Sequence, residues 1–136
     1  MPNPKEGAVQ IRAPIGIGEL IDKITILEIK SERISDFAKV RNVATELKIL
    51  RELKSGAGLD TSDIEPYERE LKSLNAALWD IEDALRELEV AQDFGPRFIE
   101  LARGVYKTND RRAQVKHRIN SAFGSEIVEE KSYKGT

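Results

Sequence analysis

The chain has 136 residues, 40 % of them hydrophobic and 34 % charged, which is enough apolar material for one core and argues against intrinsic disorder. With no cysteine and a single histidine, His117, it excludes a disulfide framework, a thiolate nucleophile and any Cys-containing or multi-histidine metal site. The 22 basic and 24 acidic residues leave a net charge of −2, without the basic excess by which most nucleic-acid binders hold phosphate, so no nucleic-acid partner is expected.

Residues 8 to 14 alternate Val9 and Ile11 with polar neighbours and end at Pro14, the pattern of a short β arm or an extended N-terminal segment (1–16). Beyond Gly16 and Gly18 a helix over 17–34 is predicted. Its stripe of Leu20, Ile24, Leu27 and Ile34 is widened by Ile21, Ile26 and Ile29, so more than one side should be buried. Isoleucine is a mediocre helix former, and tertiary packing must therefore hold this segment helical. Gly16 and Gly18 lack the full spacing of a phosphate-cradling loop.

Ser35 and Asp36 suit the N-cap of a second helix, 37–54, with Val40, Val43, Leu47 and Leu50 inward and Gly56 closing it. After a polar loop, Ser62 and Glu65 have the spacing of a capping box. The third helix, 63–93, carries Ile64, Tyr67, Leu71, Leu74, Leu78, Ile81, Leu85 and Leu88 three and four apart, a coiled-coil seam. Gly95 fits its C-terminal turn and Pro96 opens the fourth helix, 97–122, which resumes the seam at Phe98, Leu101, Val105, Thr108, Arg112, Val115, Ile119 and Ala122.

So short a turn makes the two helices antiparallel. Residues 60–94 carry 3 basic and 11 acidic groups and residues 95–136 carry 9 and 5, so opposite charges should attract along the hairpin. A turn near residue 95 puts Arg112 opposite Asp80 and Lys116 opposite Asn75, give or take one helical turn. The expected architecture is all-α: a single helical domain over 1–136, with a four-helix bundle or long antiparallel hairpin over 17–122 and an extended tail over 123–136. No stretch has the apolar length of a membrane span, and the N-terminal residues lack a signal-type apolar core, so a cytoplasmic protein is expected.

Arg112, a charge at a seam position, is read as a specificity device against Asp80 or as a buried ligand-binding arginine. Around it Arg103, Tyr106, Lys107, Asn109, Asp110, Arg111, Lys116 and Asn120 form the densest run of hydrogen-bonding side chains, suited to an anion or to a solvated basic face. On the first helix Glu19, Asp22, Lys23, Glu28, Lys30 and Arg33 put charges on a segment that is otherwise apolar. Their spacing defines no acid–base pair. His117 reads as a solvent-facing helix residue and Trp79 as a rim residue.

The segments GELIDKITILEIKSERI (18–34), LNAALWDIEDALRELE (74–89), FIELARGVYKTNDRRAQVKHRIN (98–120) and EEKSY (129–133) resemble a small bacterial all-helical family without assigned function. The resemblance implies a shared polar site made from Glu19, Asp22, Lys23, Lys30, Arg33, Asn75, Trp79, Arg103, Tyr106, Asn109, Asp110, Lys116, Asn120 and the EEKSY tail. A second likeness is to the all-helical chorismate mutases, whose first long helix resembles ELIDKITILEIKSERI, with Arg33 and Lys39 as the anion binders implied. The upstream arginine of that pattern is absent here, the acid-to-arginine spacing is off by about one residue, and no side chain can be placed on the ether oxygen.

The leading reading is a non-catalytic interaction and oligomerisation module, a homodimer through helices one and two or the hairpin. It would present the 103–120 surface to a protein or an anionic small molecule, with no cofactor and no metal. The alternative is an enzyme acting on an anionic metabolite. The two differ in one respect: an enzyme needs Lys30, Arg33, Arg103 and Lys116 to converge in a closed pocket, whereas a module can leave them spread out.

Overall fold

A computed structural model describes residues 7–134. Four helices follow in chain order: α1 (Ile17–Arg33), α2 (Phe37–Gly56), α3 (Glu65–Val90) and α4 (Pro96–Ala122). Among the described residues there is no strand, and residues 8–14 form no β arm. Met1–Glu6 and the last two residues lie outside the described part.

α3 and α4 form the expected antiparallel hairpin, and α1 lies across it, touching α2, α3 and α4. That central place accounts for the many isoleucines of α1. Leu20, Ile21, Ile24, Leu27 and Ile29 are all buried, so apolar burial holds helical a segment whose intrinsic preference is weak. α2 covers one flank with Val43 and Leu47, while Val40 and Leu50 are half-buried. Asp36 caps α2 as expected, its Oδ1 accepting from the Lys39 amide at 3.0 Å.

Two helix ends differ from expectation. The Ser62/Glu65 capping box does not form: Ile64 precedes α3 without a side-chain cap, because Leu59 and Ile64 are drawn into the core and fix the path of the chain there. At the other end α3 stops at Val90, and Gln92, not Gly95, takes the left-handed conformation, with φ 54°. The Asp93 amide then donates to the Leu88 carbonyl at 2.9 Å, closing the helix, while Gly95 stands before α4 in extended backbone.

The long seam of α3 and α4 is buried only at its base. Ile64, Leu71, Val115 and Ile119 are fully buried, and Tyr67 and Phe123 close that end edge to face at 6.0 Å. From Leu78 to Leu88 on α3, and from Phe98 to Thr108 on α4, the seam residues are only half-buried. Periodicity identifies the facing sides of two helices, but a third layer is needed to bury them; α1 crosses the base and reaches the outer half only along one side of α3, where Arg33 meets Trp79 and Asp80. The expected charge match along the hairpin is realised by one α3–α4 ion pair among the described residues, Arg118 with Glu70 at 3.8 Å.

Candidate functional site

The chain's most costly burial is a carboxylate. Asp22, on the face of α1 turned toward the hairpin, is completely buried, and an unpaired carboxylate there would be strongly destabilising. It is met from both hairpin helices. Arg112 Nε donates to Oδ1 at 2.9 Å and to Oδ2 at 3.1 Å, and Nη2 donates to Oδ2. Asn75 Nδ2 donates to Oδ1 at 2.8 Å and to Thr25 Oγ1 at 3.0 Å, and the Thr25 hydroxyl donates to the Asp22 carbonyl at 2.7 Å. Lys116 Nζ lies 3.6 Å from Oδ2.

This corrects the expected partner of Arg112. Arg112 reaches across the seam to α1, while Asp80 receives Arg33 Nη1 at 2.6 Å. The hairpin register is about one turn from the expected one, since Arg112 and Asn75 meet on a single carboxylate.

A second layer holds the start of α1. Gly18 packs so close to α4 that a Cβ there would stand 2.5 Å from the Lys116 carbonyl oxygen. Its amide donates to Asn120 Oδ1 at 2.8 Å, and the Ile17 amide donates to Ser125 Oγ at 3.0 Å. The first amides of a helix have no intrahelical acceptor, and here α4 and the tail supply acceptors in place of a cap. The Ser125 hydroxyl in turn donates to the Ile127 carbonyl at 2.7 Å, laying the tail back over α1 and α4.

Along that path Lys116 donates to Glu19 Oε2 at 2.5 Å and stands 3.5 Å from Glu129, and Lys131 donates to Glu129 at 2.6 Å. The tail flanks a cleft of about 280 Å³ lined by Asn109, Asp110, Arg112, Lys116, Lys131 and Tyr133. A neighbouring hollow of about 450 Å³ lies between Pro14–Gly16, α4 and the tail.

Burial pushes the Asp22 carboxyl up. Hydrogen bonds from Arg112 and Asn75 and the charges of Arg112 and Lys116 outweigh it, leaving Asp22 below the usual carboxylate range. The same hydrogen bond from Arg112 raises the guanidinium. Lys131 first, and then Lys116, lower the Glu129 carboxyl. Each cation around the cleft thus faces a carboxylate of the chain itself. Asp22 is held ionised with its lone pairs occupied, so the cluster binds helices to one another and leaves Asp22 poorly placed to accept a proton.

Of the predicted site residues, Asp22, Asn75, Lys116 and Asn120 come together, joined by Glu19, and Asn109 accepts from Arg112 Nη1 at 3.3 Å. Asp110 stands exposed at the rim of the cleft. Lys23 is exposed beside Glu19, Lys30 is half-buried, and Arg33 leaves for Asp80 and the face of Trp79 at 5.8 Å. Arg103, Tyr106 and Arg111 are exposed on α4. Thr25 and Ser125 join the site without a signal in the sequence, since nothing distinguishes a serine or threonine until the amide or carboxamide it serves is known. Among the described residues no group of three or more His, Asp or Glu side chains is placed to hold a metal ion, and no helix is long and apolar enough to cross a membrane.

Comparison with known proteins adds one finding: a family model matches residues 11–136, which include the buried cluster and the tail laid over it. The chain belongs to the family of unknown function DUF6165. No curated protein and no solved structure matches it. The DUF6165 match begins before Gly16 and so takes in the close approach of Gly18 to α4 and that of Gly16 to the tail, where a Cβ would stand 2.7 Å from the Ile127 carbonyl oxygen.

Proposed function

We propose that the chain is a non-catalytic helical interaction module whose binding surface is the outer half of the α3–α4 hairpin. The observation that carries this is the half-buried seam from Leu78 to Leu88 and from Phe98 to Thr108, together with exposed Val90, Phe94, Ile99 and Tyr106. An apolar stripe of this length, rimmed by charge, is characteristic of a protein-binding face. The cations that an anion-processing pocket would gather are instead dispersed: Arg33 on Asp80, Lys116 within the buried cluster, Arg103 exposed on α4 and Lys30 on the flank of α1. This distribution also disfavours a chorismate-mutase-like site, since Arg33 is already paired and Lys39 is exposed.

The reading is tested by placing a photo-crosslinking amino acid at Tyr106, with exposed Glu46 on α2 as the control, and irradiating living cells that make the protein. Tyr106 should capture a polypeptide, which includes a second copy, and Glu46 should not. Equal capture at both positions, or none at Tyr106, contradicts it.

A second reading rests on the cleft beside Arg112, where Lys131 and Tyr133 of the tail would close over a small carboxylate or phosphate. It requires a saturable rise in melting temperature with phosphorylated sugars, nucleotides or aromatic acids that is lost in Lys116→Ala.

A further inference from the structure

The outer half of the hairpin carries two patches that complement each other but do not meet within the chain. The first is a groove of about 330 Å³ on the flank of α1, walled by Ile26, Leu78 and Trp79 and rimmed by Glu82, Asp83 and Arg86, with Arg86 3.9 Å from Glu82. The second lies on α4: Ile99, Arg103 and Tyr106 are spaced four and three apart, so they share one side of the helix, and all three are exposed. Among the described residues neither Arg103 nor Asp83 makes an ion pair, whereas Glu82 is held by Arg86. One patch is an apolar slot with the unpaired Asp83 carboxylate on its lip, and the other is an aromatic and an aliphatic side chain flanking the Arg103 guanidinium.

We infer that these patches join two copies of this chain, Tyr106 of each entering the groove beside Trp79 of the other while Arg103 pairs with its Asp83. The inference rests on the hairpin reading above and names the partner. A two-fold axis forms both contacts at once, so every copy supplies slot and insert and no complementary surface is left over. Charge sets the pairing: Asp83 on Asp83, or Arg103 on Arg103, would repel, whereas Asp83 on Arg103 attracts at both ends. Tyrosine and arginine are also the residues that most often dominate such contacts, and a desolvated slot strengthens their pairing.

Trp79 is the chain's only tryptophan, so its emission reports directly on this groove. Sedimentation of the full chain should show a dimer at high micromolar concentration, and dilution to monomer should shift Trp79 emission to the red. Arg103→Glu should sediment as a monomer with unchanged helical content and red-shifted emission at all concentrations. Asp83→Arg should do the same. Mixing the two variants should restore a dimer, because one contact is then charge-reversed and the other native. A wild-type chain that stays monomeric, or an Arg103→Glu chain that dimerises like the parent, overturns the inference. If the wild-type chain is monomeric and Tyr106 still crosslinks to a different polypeptide, only the second copy is refuted; if Tyr106 captures nothing, the hairpin reading falls as well.

Discussion

Asp22 and Arg112 stand 90 residues apart in sequence, and two guanidinium nitrogens of Arg112 donate to both oxygens of the fully buried carboxylate. Removing either partner strands the other. Arg112→Leu should destabilise the fold by about 3 kcal/mol, and Asp22→Leu by a similar amount, as expected for breaking a buried pair from one side. The double variant should lose much less than the sum, because neither charge is then left alone. Urea unfolding of the four proteins measures this coupling, and strict additivity would mean that the two side chains act independently.

Acid should weaken this contact in a defined direction. The folded Asp22 carboxyl lies below its ordinary value of 3.8, so as pH falls the unfolded chain takes up the proton first. The stabilisation is complete above about pH 5 and is lost as pH drops below 4 toward the folded value. Asp22→Asn should melt lower than the parent at pH 7, and its melting temperature should fall less between pH 5 and pH 3. Calorimetry at a series of pH values checks this, and parallel curves for the two proteins would assign the acid sensitivity elsewhere.

Gly18 and Gly56 should answer oppositely to the same change. At Gly18 a Cβ would stand 2.5 Å from the Lys116 carbonyl oxygen, whereas at Gly56 nothing lies within 4 Å. Gly18→Ala should cost about 1–3 kcal/mol by forcing α1 off α4. Gly56→Ala should be neutral or stabilise by up to about 1 kcal/mol through the entropy of the unfolded chain. Denaturant titration separates them.

Much of this architecture is written locally. The spacing of Leu20, Ile24 and Leu27, the Asp36 cap and the Gly95–Pro96 break define helices whose ends the structure moves by at most three residues. Polar side chains on α1 and α4 also marked Asp22, Lys116 and Asn120 in advance. The partners were not legible, because a hairpin register inferred from turn length pairs Arg112 with Asp80 and says nothing of a third helix laid across the seam. Likewise the three-and-four spacing of Leu78, Ile81, Leu85 and Leu88 is the same whether another layer covers them or not. Gly95 was the natural residue for a left-handed turn, yet α3 ends earlier and Gln92 takes that conformation, its side chain donating to the Glu89 carbonyl at 2.8 Å.

The division between a locked base and an open outer half is tested most directly by amide hydrogen exchange along the hairpin at two protein concentrations. At low concentration α1, residues 65–77 of α3 and residues 109–122 of α4 should exchange slowest, with residues 81–90 and 96–105 markedly faster, because local opening is easiest where few apolar side chains are buried. Raising the concentration should slow exchange in those two outer segments and around Trp79 and Tyr106 beside them, and not in α2 or the tail. Uniform protection along the hairpin, or a concentration effect confined to α2 or the tail, would contradict the account.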